Sequence, residues 1–224
     1  MEAKEESGAE AARHTKGERT RARLLEAAMH EFARNGFHET KVSDIVGRAG
    51  LSQPSFYLYF ANKEAAYDEL VACFRERMLA ALRRIRFAGD FAPGQAHEYV
   101  LRANTIFFAA LDENPELTEI GLFQPPAAEV TKDELVRAIA GNVAAAQESG
   151  LFRRDVPPAL VAQCLLGMDE RVFRAGTEGE GRREQVAAIA ALLTDGLRNR
   201  GPDPGREGSM EDGTAQTHNA SRIS

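Results

Sequence analysis

Two short apolar helical faces separated by a glycine, within residues 40–63 (TKVSDIVGRAGLSQPSFYLYFANK), constrain this chain more than any other stretch. Val42, Ile45, Val46 and Ala49 recur at helical spacing and fall on one side of a helix over 43–49. Ser43 or Thr40 is the N-cap candidate, because a side-chain oxygen there can accept an unpaired first-turn N–H. Gly50 ends that helix and Gln53-Pro54 opens the next, where proline costs little because its missing N–H would be unpaired anyway. Ile45, Val46, Ala49, Leu51 and Phe56 must then pack together and against Phe32. That leaves Gln53, Ser55, Tyr57 and Tyr59 facing outward.

The remaining chain also reads as helix. Residues 18–35 carry Leu25, Ala28, Met29 and Phe32 on one face, with Gly36 as a stop. A long helix is predicted from Asn62 to about Phe87, striped by Leu70, Phe74, Met78, Ala81 and Ile85 and broken by Gly89 and Pro93-Gly94. Helical patterns follow over 95–113, 116–123, 127–149, 158–175 and 182–199, with a loop at 150–158 and GTEGEG at 176–181. No alternating β pattern of useful length and no internal repeat is present. Residues 201–224 have too little apolar content to order themselves, and a disordered tail is expected there. The fold class is all-α. The expected division is a disordered N-terminal arm over 1–17, a three-helix unit over 18–63, a larger helical body over 64–200 and the disordered tail over 201–224.

The net charge of −6 hides an asymmetry. Residues 13–63 hold nine Lys or Arg and five Asp or Glu, so this segment is +4 and the remainder −10. A basic module on an acidic body directs phosphate binding to one end. Glutamine can bond an adenine edge, and serine, tyrosine and lysine suit phosphates. Thr40, Lys41 and Ser43 stand at a helix start, where free N–H groups and the dipole favour an anion. Arg19 and Arg21, ahead of the first apolar face, could reach a phosphate or a minor groove.

The order of motifs is similar to the TetR family of transcriptional regulators. It runs Phe32, Gly36-Phe37, Thr40-Lys41-Val42, Ile45-Val46, Ala49-Gly50-Leu51-Ser52, Ser55-Phe56-Tyr57, Tyr59-Phe60 and Asn62-Lys63. The resemblance implies an N-terminal helix-turn-helix DNA-binding domain and a C-terminal domain that binds a small molecule and dimerises. Its DNA-contacting positions transfer to Thr40, Lys41, Ser43, Ser52, Gln53, Ser55, Tyr57, Tyr59 and Lys63. Pro54 replaces a more usual glycine or alanine and joins that set as the residue stiffening the start of the reading helix.

Helices around the usual family cavity place Phe74, Met78, Phe107, Phe108, Leu111, Phe123, Val143, Cys164 and Met168 as apolar ligand-binding candidates. Asn104 and Asn142 are polar candidates on the same faces, with Gln163 and Arg171 as further helical polar positions needing partners. Dimerisation through the last two helices is assigned to Val161, Leu165, Val172, Ile189, Leu193 and Leu197. The implied partners are double-stranded DNA with a palindromic operator, a second copy of the chain and a small apolar effector. An acyl chain is favoured over an aromatic compound or lipophilic drug. A dimeric repressor is expected, with an activator or a helical interaction module as the alternatives.

Other classes find little support. No HExxH, GxSxG or Walker pattern occurs, and His14, His30, His38, His97 and His218 have no metal spacing. No catalytic residue, metal or cofactor is expected. No run approaches the ~18 apolar residues of a membrane span, and no apolar signal core opens the chain. A cytoplasmic location follows as an expectation, with Cys73 and Cys164 as buried, reduced thiols.

Overall fold

A computed structural model describes residues 2–85, 95–177 and 179–197, with side chains from Lys16 onward. The helices are α1 (Glu2–Asn35), α2 (Val42–Ala49), α3 (Gln53–Tyr57), α4 (Lys63–Ile85), α5 (Ala96–Asp112), α6 (Pro115–Thr118), α7 (Ala128–Glu148), α8 (Pro158–Arg174) and α9 (Gly179–Leu197). A π-helical turn, Glu119–Phe123, follows α6 directly. Among the described residues there is no strand. The expected tail and the Gly89 and Pro93-Gly94 break lie outside the described residues. α1 begins at Glu2, so the stretch expected to be a disordered arm is backbone continuous with the first helix.

The apolar spacing places one continuous core. Leu24, Ala28 and Phe32 of α1 meet Ile45 of α2 and Phe56 of α3, all fully buried. Gly50 takes φ 63°, a left-handed turn open to glycine at low cost; its N–H donates to Gly47 O at 3.2 Å, and the Leu51 N–H closes the turn onto Val46 O at 2.9 Å. α4 crosses from this small bundle into the body, packing on α1, α5 and α7. There α8 lies along α7, and α9 lies along α5.

The α2 cap differs from expectation. Lys41 holds the N-cap position, and its N–H donates to the Asp44 carboxylate at 3.0 Å. Thr40 turns the other way. Its hydroxyl reaches back to Gly36 O (2.8 Å) and Glu31 O (3.1 Å), sewing the α1–α2 turn shut.

Both cysteines are exposed rather than buried. Cys73 precedes the inward Phe74, and Cys164 precedes the half-buried Leu165. One step along a helix is a rotation of about 100°, enough to carry a side chain off the core face.

Candidate nucleic-acid interface and effector cavity

α2 and α3 present a small face of mixed chemistry. Gln53 and Pro54 are exposed at the start of α3, Tyr57 is 56% exposed, and Leu58 is 79% exposed. Ser52 and Ser55 share a hydrogen bond at 2.9 Å beside them. Lys41 and Ser43 are exposed at the start of α2. This face can offer an amide, hydroxyls, an ammonium and an apolar tip to a groove floor and its phosphates. Leu58 is an apolar tip suited to a thymine methyl.

Three other candidates sit differently. Thr40 is 1% exposed with its hydroxyl committed to α1, so only its backbone is near the face. Tyr59 is half-buried and packs on the core. Lys63 directs its ammonium inward, donating to Phe37 O (2.9 Å), Thr40 O (3.0 Å) and His38 O (3.3 Å) while covering the Phe37 ring. It satisfies the carbonyls left over where α1 ends. Its place in the motif is that of a brace rather than an outward charge.

The basic segment is similarly reduced by pairing. Arg48 binds Glu31 at 2.5 Å, and Arg23 donates to Ala49 O at 2.6 Å. Arg21 forks onto Glu69, with one bond at 2.7 Å, and lies over the Phe60 ring. Hydrogen bonding to Glu69 raises the Arg21 pKa, so it stays a fixed cation of the scaffold. Lys41 and Arg19 are exposed and carry no ion pair among the described residues.

A half-open, mainly apolar cavity of about 70 Å³ lies among α4, α5, α7, α8 and α9. Of the ligand-binding candidates, Asn104, Phe107, Asn142 and Val143 line it. The amides are anchored: Asn104 donates to Val100 O at 2.9 Å and Asn142 to Leu82 O at 3.1 Å. Phe74, Met78, Phe108 and Leu111 are instead core residues, fully or almost fully buried. Phe107 and its neighbour illustrate why: one helical step turns Phe108 away from the cavity to lie under the Arg182 guanidinium, 4.9 Å from its ring. Phe123 stacks on Phe173 under Arg174, Cys164 is exposed, and Met168 is half-buried off the wall. Gln163 and Arg171 are exposed.

Residues assigned to the dimer surface turn inward. Leu165, Leu193 and Leu197 line the cavity, Val161 and Ile189 are buried in the subunit's own core, and Val172 is half-buried against it. The amphipathic stripe marks the face toward the subunit's own core, because that is where the apolar side chains find the most partners. Outward, α8 shows Leu160, Cys164 and Gly167, and α9 shows Ala187, Ala188, Ala191 and Leu192. Leu192 is 69% exposed.

Sequence reasoning passed over Asp169. It lines the cavity, is 6% exposed, and has an Oδ1 without a hydrogen-bond partner in the protein. Desolvation alone pushes its pKa up to about 8. The signal was present, since Asp169 stands four residues after Leu165, in register with an apolar stripe.

The sequence model described as bacterial regulatory proteins, tetR family, matches residues 24–70, from α1 into α4. HTH-type transcriptional regulator YdgC of Bacillus subtilis is 37% identical over 191 residues, covering 84% of this chain and 98% of that protein. The fatty acid metabolism regulator protein of the same organism is 39% identical over 62 residues, covering 28% of this chain and 30% of that protein. Among solved structures, the ketosteroid transcriptional regulator KstR2 of Mycobacterium tuberculosis superposes with a TM-score of 0.63 at 24% identity, covering 80% of this chain and 94% of that one.

Proposed function

The chain belongs to the TetR family of bacterial transcriptional regulators, and on that footing we propose that it is a dimeric repressor of cytoplasmic DNA. A small, mainly apolar effector filling the cavity under α8 and α9 would release it from a palindromic operator. The path of α4 is the observation that carries this reading. Lys63 at its start braces the α1–α2 turn, and Leu82 and Ile85 near its end are cavity wall. The helix has 23 residues, about 35 Å at the usual rise. A ligand that shifts the wall therefore shifts the base of the reading head. The shift is driven by the difference in its affinity for the two arrangements.

Recognition rests on Gln53 and Tyr57 in this proposal, with Lys41, Ser43, Ser52 and Ser55 on the backbone of the DNA and Pro54 stiffening the helix start. Gln53→Ala with Tyr57→Ala is expected to weaken specific binding to the chain's own upstream DNA by at least about thirtyfold, at about one to three kcal/mol per lost base contact. Salt dependence should change little, because phosphate cations are untouched. A gel shift showing unaltered specific binding by the double variant would sink the reading-helix assignment.

Two reading heads match two half-sites one helical turn apart, which makes dimerisation part of the mechanism. The outward face of Leu160, Ala188, Ala191 and Leu192 is the surface proposed for it: small residues let helices approach, and Leu192 supplies an apolar anchor. Leu192→Arg is expected to move the protein from dimer to monomer in sedimentation at low micromolar concentration. Operator affinity should then fall on the order of a hundredfold, since the second head no longer binds as a tethered partner. A variant that sediments as a dimer would place the interface elsewhere.

The similarity to the fatty acid metabolism regulator spans 62 residues, 28% of this chain, and by itself selects no effector class. Acyl chains, aromatic compounds and lipophilic drugs all suit the apolar wall itself.

A further inference from the structure

Asp169 stands apart in the cavity wall. The wall it shares includes Leu165 on its own helix, Leu193 and Leu197 on α9, and Ile139 and Val143 on α7, with the amides of Asn104 and Asn142 as its other polar side chains besides Tyr99. Among the described residues no Lys, Arg or His lines the cavity, and Tyr99 is the other ionisable group in the wall. The charges on the surrounding helices are directed elsewhere. Arg83 and Arg84 of α4 are exposed, as are Arg102 of α5 and Arg137 of α7. His97 of α5 bonds Thr194 at 3.3 Å, and Asp112 of α5 pairs with Arg182 of α9 at 3.2 Å. Glu170, next to Asp169, pairs with Lys132 of α7 at 3.2 Å. Asp169 is thus a buried acid with an unpaired oxygen in a wall without a base.

We propose that Asp169 is the counter-charge for a lipophilic organic cation, an alkyl amine or quaternary ammonium whose hydrocarbon part lies against Leu165, Leu193 and Leu197. The inference rests on the effector-cavity reading above and narrows it to a charge class. An isolated carboxylate in an apolar wall is disfavoured, and desolvation accordingly holds the Asp169 pKa at about 8. An organic cation brings the missing positive charge together with hydrocarbon that the wall accepts. A fatty acid brings no positive charge: its carboxylate could only accept a hydrogen bond from protonated Asp169, so its affinity would fall, not rise, as pH approaches about 8.

The proton balance gives the sign of the pH effect. Empty, the cavity holds Asp169 mainly protonated below about pH 8. A permanent cation binds the ionised form, so one proton leaves on binding. Affinity therefore rises with pH up to about 8 and is level above it.

Calorimetry on the full chain with decyltrimethylammonium, decanoate and decanol, each below micelle formation, tests this. The cation should bind the wild type tightest, and roughly eightfold tighter at about pH 7.5 than at about pH 6.5, following the ionised fraction. Asp169→Asn should weaken the cation by about thirtyfold or more and remove its pH dependence. Unchanged decanol affinity in that variant would show that its cavity is intact. Retention of the cation's affinity by Asp169→Asn, or equal wild-type affinity for decanoate, overturns the inference while leaving the effector cavity standing. Failure of all three chains to bind the wild type would remove the cavity reading, and the inference with it.

Discussion

Replacing Gly121 by alanine is expected to destabilise the protein by about 2–3 kcal/mol, the upper part of the roughly 1–3 kcal/mol that forcing an extra group into a packed core costs. Gly121 is buried in the π-helical turn between α6 and α7. A Cβ there would overlap Cγ and Cδ1 of the Phe74 ring and approach Phe74 Cβ to 2.8 Å. Phe74 is fully buried, and Arg77 lies 5.6 Å from its ring. The ring has no open side to swing toward, so relief must come from moving α4 or the turn itself. For a domain of this size such a cost lowers Tm by about 5–10 °C, readable by circular dichroism. Because α4 joins reading head to cavity, operator affinity should also fall at temperatures where the variant is still folded. A melting temperature within a degree of wild type would mean that the turn yields without involving α4.

Lys63→Met should cost about 2 kcal/mol of stability while leaving the slope of log K against log salt unchanged. The ammonium serves three carbonyls, Phe37 O, His38 O and Thr40 O. Hydrogen bonds from a charged donor are worth about 1.5–3 kcal/mol when their partners are otherwise left bare. Methionine keeps the stem and the contact with Phe37 but no donor. Operator affinity then falls because the α1–α2 turn loosens, not because a phosphate contact is lost. A phosphate-binding lysine behaves in the opposite way: its loss lowers the salt slope by about one and leaves stability alone. Thermal unfolding and a salt titration of binding on the same variant separate the two.

These expectations draw on features that sequence reveals unequally. Helical periodicity was legible throughout. The predicted 95–113 segment became α5 (Ala96–Asp112), and Gly50 and Pro54 marked the turn and the start of α3. The apolar or polar character of an exposed face was legible too, which is why Gln53 and Tyr57 stand where expected. Rotation about each helix axis was less so. Phe107 lines the cavity and Phe108 does not, and Cys164 faces out while Leu165 faces in. A periodic stripe locates a buried side but does not distinguish among a core, a cavity and a neighbouring subunit, since all three accept the same side chains.

Sequence by itself determined the all-α class and the helix-turn-helix, because these follow from local spacing: apolar residues every three or four positions, a glycine where the backbone must turn left-handed, a proline where a donor is dispensable; the family came from the likeness of the motif run between Phe32 and Lys63 to known members. Tertiary structure alone decided which polar groups remain available. Thr40, Lys63, Arg21 and Arg48 belong to the right motif or charge cluster, but each is held by a partner in or beside another helix. Asp169 looks like one more helical acid until the packing of α4, α5, α7 and α9 removes its solvent and supplies no partner. Hydrogen-bond satisfaction and desolvation are set by what surrounds a side chain, and those surroundings come from residues distant in the chain.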